Sequence, residues 1–294
     1  MLDKLKKVVI ALGYFDSVHI GHQRVIKKAQ NLAKELGVEM AIFTFSGNLR
    51  KAVGKSQDKC VYTLDERTVI LNKLGVENIY YAPCTADFLA KSKWEFLQDL
   101  NQKYQIVGYV CGRDYKFGRF CEGNVEFLNE IAQNNNQQVA IVEDILDDGK
   151  RISSTEIKSY LSEGNIEKVN KLLDRSFSVR GEVVKDRGVG KSIGFPTANL
   201  KIDQEKAIPK NAVYYGHCIV YGKEYKCIIN CGIRPTFDVY KDALEVHLIG
   251  FEGNLYDTTL EVYFDGFIRE IKKFSNLQQL KDQLDLDKQY ALKG

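Results

Sequence analysis

Between residues 7 and 142, short apolar runs alternate with stretches of helical period, and beyond about residue 177 that alternation stops. The apolar runs are "KVVIALGYF" (7–15), "VEMAIFTF" (38–45), "NIYYAP" (78–83), "QIVGYVCG" (105–112) and "QQVAIVED" (137–144). Between them Val25, Ala29, Leu32, Ala33 and Leu36 share one face of a helix over 22–36, with Gly37 as its stop. Further helices fit Leu64–Leu74 ending at Gly75, the stretch carrying Trp94, Phe96, Leu97 and Leu100, and 124–134. Strands alternating with helices imply a parallel sheet wrapped by crossovers, an α/β arrangement. Residues 153–174 read as two short helices, with a Ser153/Glu156 capping box, a Gly164 stop and Asn165 as a fresh N-cap. From 177 onward, "FSVRGEVVK", "AVYYGHCIVYG", "KEYKCIINCG", "DALEVHLIGF" and "LEVYFDGF" are short, β-rich and divided by turns. They predict a small antiparallel barrel, closed by an amphipathic helix over 276–291. The boundaries expected are 1–176 and 177–294, with a hinge near 174–178.

Composition narrows the function classes. A formal charge of +3 and the lack of a long basic block give no reason to expect nucleic acid as a partner. No apolar run reaches the length of a membrane span. The start "MLDKLKKVVIALGYFD" imitates a signal peptide, but its apolar run is short and passes straight into Asp16, which suits a buried strand better. Seven scattered cysteines read as reduced thiols of a cytoplasmic protein. The Cys227/Cys231 spacing lacks the second pair that zinc would need. Small anionic molecules are the expected partners, and oligomeric state is open.

The chain has four histidines, and two of them fall in "GYFDSVHIGHQRV" (13–25). A metal pair, a catalytic pair and a phosphate cradle compete as explanations, beside a plain capping role. Ligands of open parallel sheets bind where strands end and helices begin, and a helix start offers free N–H groups to an anion. His19 and His22 can both serve one anion as imidazole donors, with Gly21 allowing close backbone approach. A helical His-x-x-x-His with a neighbouring glutamate is absent, which weakens the metal reading. In the second half, Leu244, Val246 and Leu248 alternate onto one strand face while Glu245 and His247 share the other. "DRGVGKS" (186–192) contains Gly-Lys-Ser, but Lys185 stands where a P-loop needs its first glycine.

"GYFDSVHIGH" resembles the His-x-Gly-His signature of nucleotidyltransferases in the form found in prokaryotic FAD synthetases. "CGRDYKFG" (111–118) and "RISSTEIK" (151–158) resemble two further motifs of those enzymes. "GFPTANL" (194–200), "INCGIRPTF" (229–237) and "LEVHLIGFEGNLY" (244–256) resemble their riboflavin kinase module. The chain is similar in this way to the bifunctional riboflavin kinase/FMN adenylyltransferase family from residue 8 to about 290. That resemblance implies a Rossmann-like nucleotidyltransferase domain followed by a riboflavin kinase barrel. It also implies two reactions: riboflavin to FMN with ATP, then FMN to FAD and pyrophosphate with a second ATP.

The same resemblance assigns roles. His19 and His22 hold the triphosphate and stabilise its developing charge, in a nucleotide cradle that includes Gly13, Phe15, Gly21, Asp114, Arg151, Ser154, Thr155 and Lys158. Asp16 is divided between nucleotide contact and an N-cap-like role. In the kinase half, Glu245 becomes the general base for the riboflavin hydroxyl. Gly194, Pro196, Thr197 and Asn199 become nucleotide-binding, with the oxygens of Thr197 and Asn199 suited to Mg²⁺. The chain departs from family habit at Ser17 (usually Gly), Lys158 (Arg), Asn254 (Asp), Ala212 (Gly) and Cys231 (aliphatic). These departures keep two alternatives in view: an FAD synthetase whose barrel is weak or inactive as a kinase, and a flavin-sensing regulator.

Overall fold

The structure, a computed structural model, describes residues 5–55, 57–185, 194–236 and 239–294, and the chain divides into two compact units, Met1–Ser154 and Thr155–Gly294. In the first unit β1 (Lys7–Leu12), β2 (Glu39–Phe45), β3 (Asn78–Ala82), β4 (Gln105–Gly112) and β5 (Gln138–Val142) form a parallel sheet in the order β3-β2-β1-β4-β5. β1 takes the centre because Val8, Val9, Ile10, Ala11 and Leu12 leave it no polar face, and each is at most 2% exposed. The helices between the strands are α1 (Ile20–Leu36), α2 (Leu49–Ala52), α3 (Leu64–Lys73), α4 (Ala86–Leu89), α5 (Lys93–Lys103) and α6 (Val125–Asn134). Val9 and Ala11 pack with Val25, Ala29 and Leu32 of α1 and Leu71 of α3. Val8, Ile10 and Leu12 pack with Phe88 of α4, Leu97 and Leu100 of α5 and Leu128 of α6. The sheet is thus covered on both faces, as the alternating pattern predicts.

Helix ends follow local chemistry. α1 stops at Gly37, whose φ of 64° is left-handed, while α3 and α5 start with the capping boxes Thr63/Glu66 and Ser92/Glu95. Trp94 of α5 is 56% exposed and meets Phe127 edge-on. It lies about 110° round the helix from the centre of the Phe96–Leu97–Leu100 stripe, so it falls at the margin. The unit ends in a short hairpin, β6 (Leu146–Asp147) and β7 (Lys150–Arg151), before the helix that begins at Ser154.

From α7 (Ser154–Glu163), whose first residue still belongs to the first unit, the second unit runs through α8 (Ile166–Leu173) into β8 (Phe177–Val184), β9 (Ala198–Ile202), β10 (Ala212–Val220), β11 (Lys223–Thr236), β12 (Val239–Leu248) and β13 (Thr259–Glu270). The strands close an antiparallel barrel in the order β10-β11-β12-β9-β8-β13. Closure brings β10 and β13 together at Gly216, where a Cβ would lie 1.9 Å from the Tyr263 carbonyl oxygen and the register shifts. The final helix, α9 (Leu277–Lys293), sets Ala291 against Val213 and Ile228 on the barrel's outer face. Asp287, 1% exposed, is matched there by Arg269, with Nε to Oδ1 at 3.0 Å and Nη2 to Oδ2 at 2.7 Å. Around the expected hinge at 174–178, the Phe177 N–H donates to Asn170 Oδ1, and Asn170 Nδ2 donates to the Phe264 carbonyl. The glycine-rich stretch 186–192 lies outside the described residues.

Candidate active sites

β2 and β3 lie to one side of β1, and β4 and β5 to the other, so the carboxyl ends of β1 and β4 frame the crevice where such sheets take ligands. A cavity of about 1120 Å³ opens there, above the usual range of about 300–1,000 Å³ for small-molecule pockets. Gly13, Phe15, His19, Gly21 and His22 line one side, and Asp114, Arg151 and Ser154 another. A third side is aromatic: Phe43, Phe45, Phe88, Phe96 and Phe117.

The β1–α1 turn is built under strain. Phe15 and Val18 have φ of 53° and 45°, and a β-branched residue rarely adopts that backbone. Buried bonds hold it: the Tyr14 carbonyl accepts from Thr44 Oγ1 at 2.7 Å and from Arg67 Nη1 at 3.0 Å. Asp16, 1% exposed, accepts the Val61 N–H at 2.9 Å and is not among the cavity's lining residues. It staples the turn from behind, and the N-cap position belongs to His19. His19 Nδ1 accepts the His22 N–H at 3.2 Å, which leaves the ring proton of the neutral imidazole on Nε2 as a donor. The two imidazoles stack with centroids 3.7 Å apart and 13° between planes. A Cβ on Gly21 would come within 2.9 Å of His19 Cε1, so the bare glycine is what admits the ring. No acidic side chain occupies the first turn of α1, so its positive end is left for an anion. The capping role and a donor aimed at an anion are therefore compatible in one arrangement.

Arg151, also in the cavity lining, is held by two carboxylates, Asp114 through Nη2 and Asp144 through Nε at 3.1 Å. Ser154 opens α7, and its hydroxyl shares a hydrogen bond of 2.8 Å with Ser17. Thr155 and Lys158 lie one and four positions further along that helix, in the second unit, and do not line the cavity.

The second unit carries its own polar row. Asn199 of β9 stands directly opposite Glu245 of β12, and Glu245 opposite Asn230 of β11. Leu244, Val246 and Leu248 are buried while Glu245 and His247 are half-buried, which matches the expected alternation. His247 Nδ1 donates to the Pro196 carbonyl at 2.8 Å and its ring meets Phe195 at 5.0 Å, pinning the turn that carries Thr197. Burial holds the imidazole below its ordinary pKa, against the opposing bond to Pro196, which suits this neutral donor role. Gly194, at φ 83°, begins the described part of that turn.

Two family models match the chain: "FAD synthetase" over residues 2–156 and "Riboflavin kinase" over 173–293. A curated relative from Listeria monocytogenes, a bifunctional riboflavin kinase/FMN adenylyltransferase, is 32% identical over 289 residues, covering 96% of this chain and 90% of the relative. The chain belongs to the bifunctional riboflavin kinase/FMN adenylyltransferase family. Its counterpart from Bacillus subtilis is 29% identical over 98% of this chain and 92% of its own. A solved structure described as a macrolide-efflux protein from Streptococcus pneumoniae matches with a TM-score of 0.90 at 29% identity, covering 97% of this chain and 94% of that one. Among the described residues here, no helix is long and apolar enough to cross a membrane.

Against the family's pattern, the departures acquire physical meaning. Ser17, where glycine is usual, supplies the hydroxyl that joins the β1–α1 turn to the start of α7. Ala212 and Cys231 pair directly across β10 and β11, and both are fully buried, so these two departures form one core contact. Asn254 Oδ1 accepts the Tyr256 N–H at 2.9 Å, a turn bond that aspartate makes equally well. Thr44, Arg67, Asp144 and His247 were not singled out in the sequence for these roles. Each acts on a partner distant in sequence, so no short motif announces it.

Proposed function

We propose that the chain phosphorylates riboflavin to FMN in its barrel and adenylylates FMN to FAD in its first unit, with functional domains 1–176 and 177–294. One observation carries the reading: the two matched family models each contain one of the two polar sites, His19–His22 in the first and Glu245–Asn199 in the second.

In the first reaction site the FMN phosphate attacks the α-phosphorus of ATP and pyrophosphate leaves, so no protein nucleophile is required. The chain positions the two anions and offsets charge as it develops. His19, through Nε2–H, and His22 serve the phosphates together with the N–H groups at the start of α1. Ser154 belongs to the same nucleotide cradle, Thr155 and Lys158 bind nucleotide as well, and Arg151 exchanges a carboxylate partner for phosphate. In the second, Glu245 accepts the proton of the riboflavin 5′-hydroxyl as the γ-phosphoryl group is transferred. Among the described residues, no group of three or more His, Cys, Asp or Glu is arranged to hold a metal ion. The neutral oxygens of Thr197 and Asn199 beside Glu245 suit Mg²⁺, which takes few protein oxygens and completes its shell with substrate phosphates and water. When bound there, Mg²⁺ supplies charge neutralisation on the nucleotide. A soluble biosynthetic role of this kind fits the cytoplasm.

The test is product chromatography with ATP and Mg²⁺. Riboflavin should give FMN and then FAD, and FMN alone should give FAD. Formation of FAD from FMN, with riboflavin untouched, would overturn the kinase half of this reading.

A further inference from the structure

Residues 118–122 form a turn at the cavity that neither reaction step uses. Gly118, Phe120 and Cys121 have φ of 73°, 52° and 59°, which sets two consecutive non-glycine residues in the left-handed region. The turn is pinned, not frayed. Phe117 and Gly123 exchange backbone bonds at its base, the Arg119 N–H donates to the Lys91 carbonyl at 2.7 Å, and Glu122 Oε1 accepts the Lys93 N–H at 2.8 Å. A Cβ on Gly118 would lie 2.7 Å from Lys93 N, so the turn is pressed against the start of α5. Strain that is held by its surroundings in this way collects at functional sites.

What the pinned turn presents is Phe120, 99% exposed and yet one of the residues lining the cavity. Among the described residues its ring has no aromatic partner, although the next aromatic in the hairpin, Phe117, joins Phe96 at 5.0 Å and through it Phe43 at 4.9 Å. The cavity therefore joins the two imidazoles to a group of aromatic rings that includes the unpacked Phe120, with Lys91, Lys116 and Arg119 lining it beside the turn. FMN likewise combines a phosphate, which imidazoles can serve, with a broad, flat isoalloxazine ring, which an unpacked aromatic ring can cover.

We infer that Phe120 stacks on the isoalloxazine ring of FMN from the solvent side and is a flavin-specificity residue of adenylyl transfer. The inference rests on the adenylyltransferase reading of the cavity. Phe120→Ala should raise the KM for FMN in FAD formation about tenfold, with kcat and the KM for ATP within about twofold of the parent. Conversion of riboflavin to FMN should not change. Phe120→Tyr should keep the parental KM. Phe120→Gly separates binding from backbone, because glycine takes the left-handed conformation without strain. A purely structural residue would leave Phe120→Gly with a parental KM, whereas stacking makes it match Phe120→Ala. Parental KM values for FMN in both variants, or a rise confined to ATP, would overturn the inference while FAD formation itself stands. A parent chain that makes no FAD from FMN would instead sink the reading of the cavity.

Discussion

In the first unit His19, Gly21 and His22 reach one helix start within a single turn of chain, whereas in the barrel Asn199 and Glu245 meet only because β9 and β12 pair in register. The first site is local and strained, with Phe15 and Val18 forced into left-handed backbone and held by Thr44 and Arg67. The second is extended strand throughout its polar row and depends on barrel closure. Short-range geometry can be written into ten consecutive residues, but a cross-strand site exists only once the fold does.

The largest effect should come from breaking the barrel site alone. Glu245→Gln removes the carboxylate proposed to accept the proton and keeps the side-chain shape, so FMN formation from riboflavin should fall by roughly 10²–10⁴-fold. FAD formation from supplied FMN should stay within about twofold of the parent in the same preparation. Equal loss of both activities would mean that the two sites are not independent, and the comparison would fail.

The mirror experiment is His22→Ala, expected to lower FAD formation by roughly 10²–10³-fold while sparing FMN formation. His19 sharpens it because that residue both caps α1 and carries a donor. His19→Ala should lose the activity and about 1 kcal/mol of stability, whereas His19→Asn should restore the cap but not the activity. Melting midpoints and FAD formation measured side by side distinguish the two roles. Recovery of activity in His19→Asn would show that His19 acts through the cap alone.

This contrast also explains what could be read without coordinates. The α/β alternation, the barrel and the last helix follow from hydrophobic period, and the actual helix over Ile20–Leu36 begins only two residues before the expected start. The histidine pair was visible as chemistry because strand, turn and helix start are consecutive. Its capping bond and ring stack were not, since sequence names neither a tautomer nor a rotamer. Glu245 could be placed on the outward strand face by alternation, but its partner Asn199 followed from family resemblance, because register is not a local property. Asp16 was divided between two roles, and its buried bond to Val61 is a contact that only tertiary packing supplies.

A smaller effect is expected where Ser17 joins Ser154. Ser17→Gly restores the residue usual in the family but removes the hydroxyl that links the β1–α1 turn to Ser154. The KM for ATP should rise a few-fold, about what one hydrogen bond of roughly 1 kcal/mol supplies, with kcat for FMN formation unchanged. Ser154→Ala should do at least as much, and the double variant should add little to Ser154→Ala, since both remove one bond. Additive losses would mean that Ser17 acts elsewhere.

The smallest effect belongs to a histidine outside both sites. His217 Nδ1 donates to Asp265 at 2.7 Å, Asp265 also accepts from Ser176 at 2.9 Å, and the imidazole stacks on Tyr263 with 4° between planes. The bond to Asp265 raises the His217 pKa against the opposing effect of burial. Burial alone would raise Asp265, but the bonds from His217 and Ser176 carry it below the usual carboxylate value. A raised folded pKa stabilises fully below the unfolded value of about 6.5 and loses that contribution as pH climbs through the folded value. Asp265 works in the opposite sense, contributing above about 3.9 and losing its share as pH falls through its lowered value. The melting midpoint should therefore decline slightly as pH rises from about 6.5, and His217→Gln should flatten that decline while both activities stay at parental rates. A His217→Gln variant that keeps the slope would assign it to other groups. One that loses FMN formation would extend the barrel's reaction site to β10 and β13, where the row of Asn199 and Glu245 does not reach.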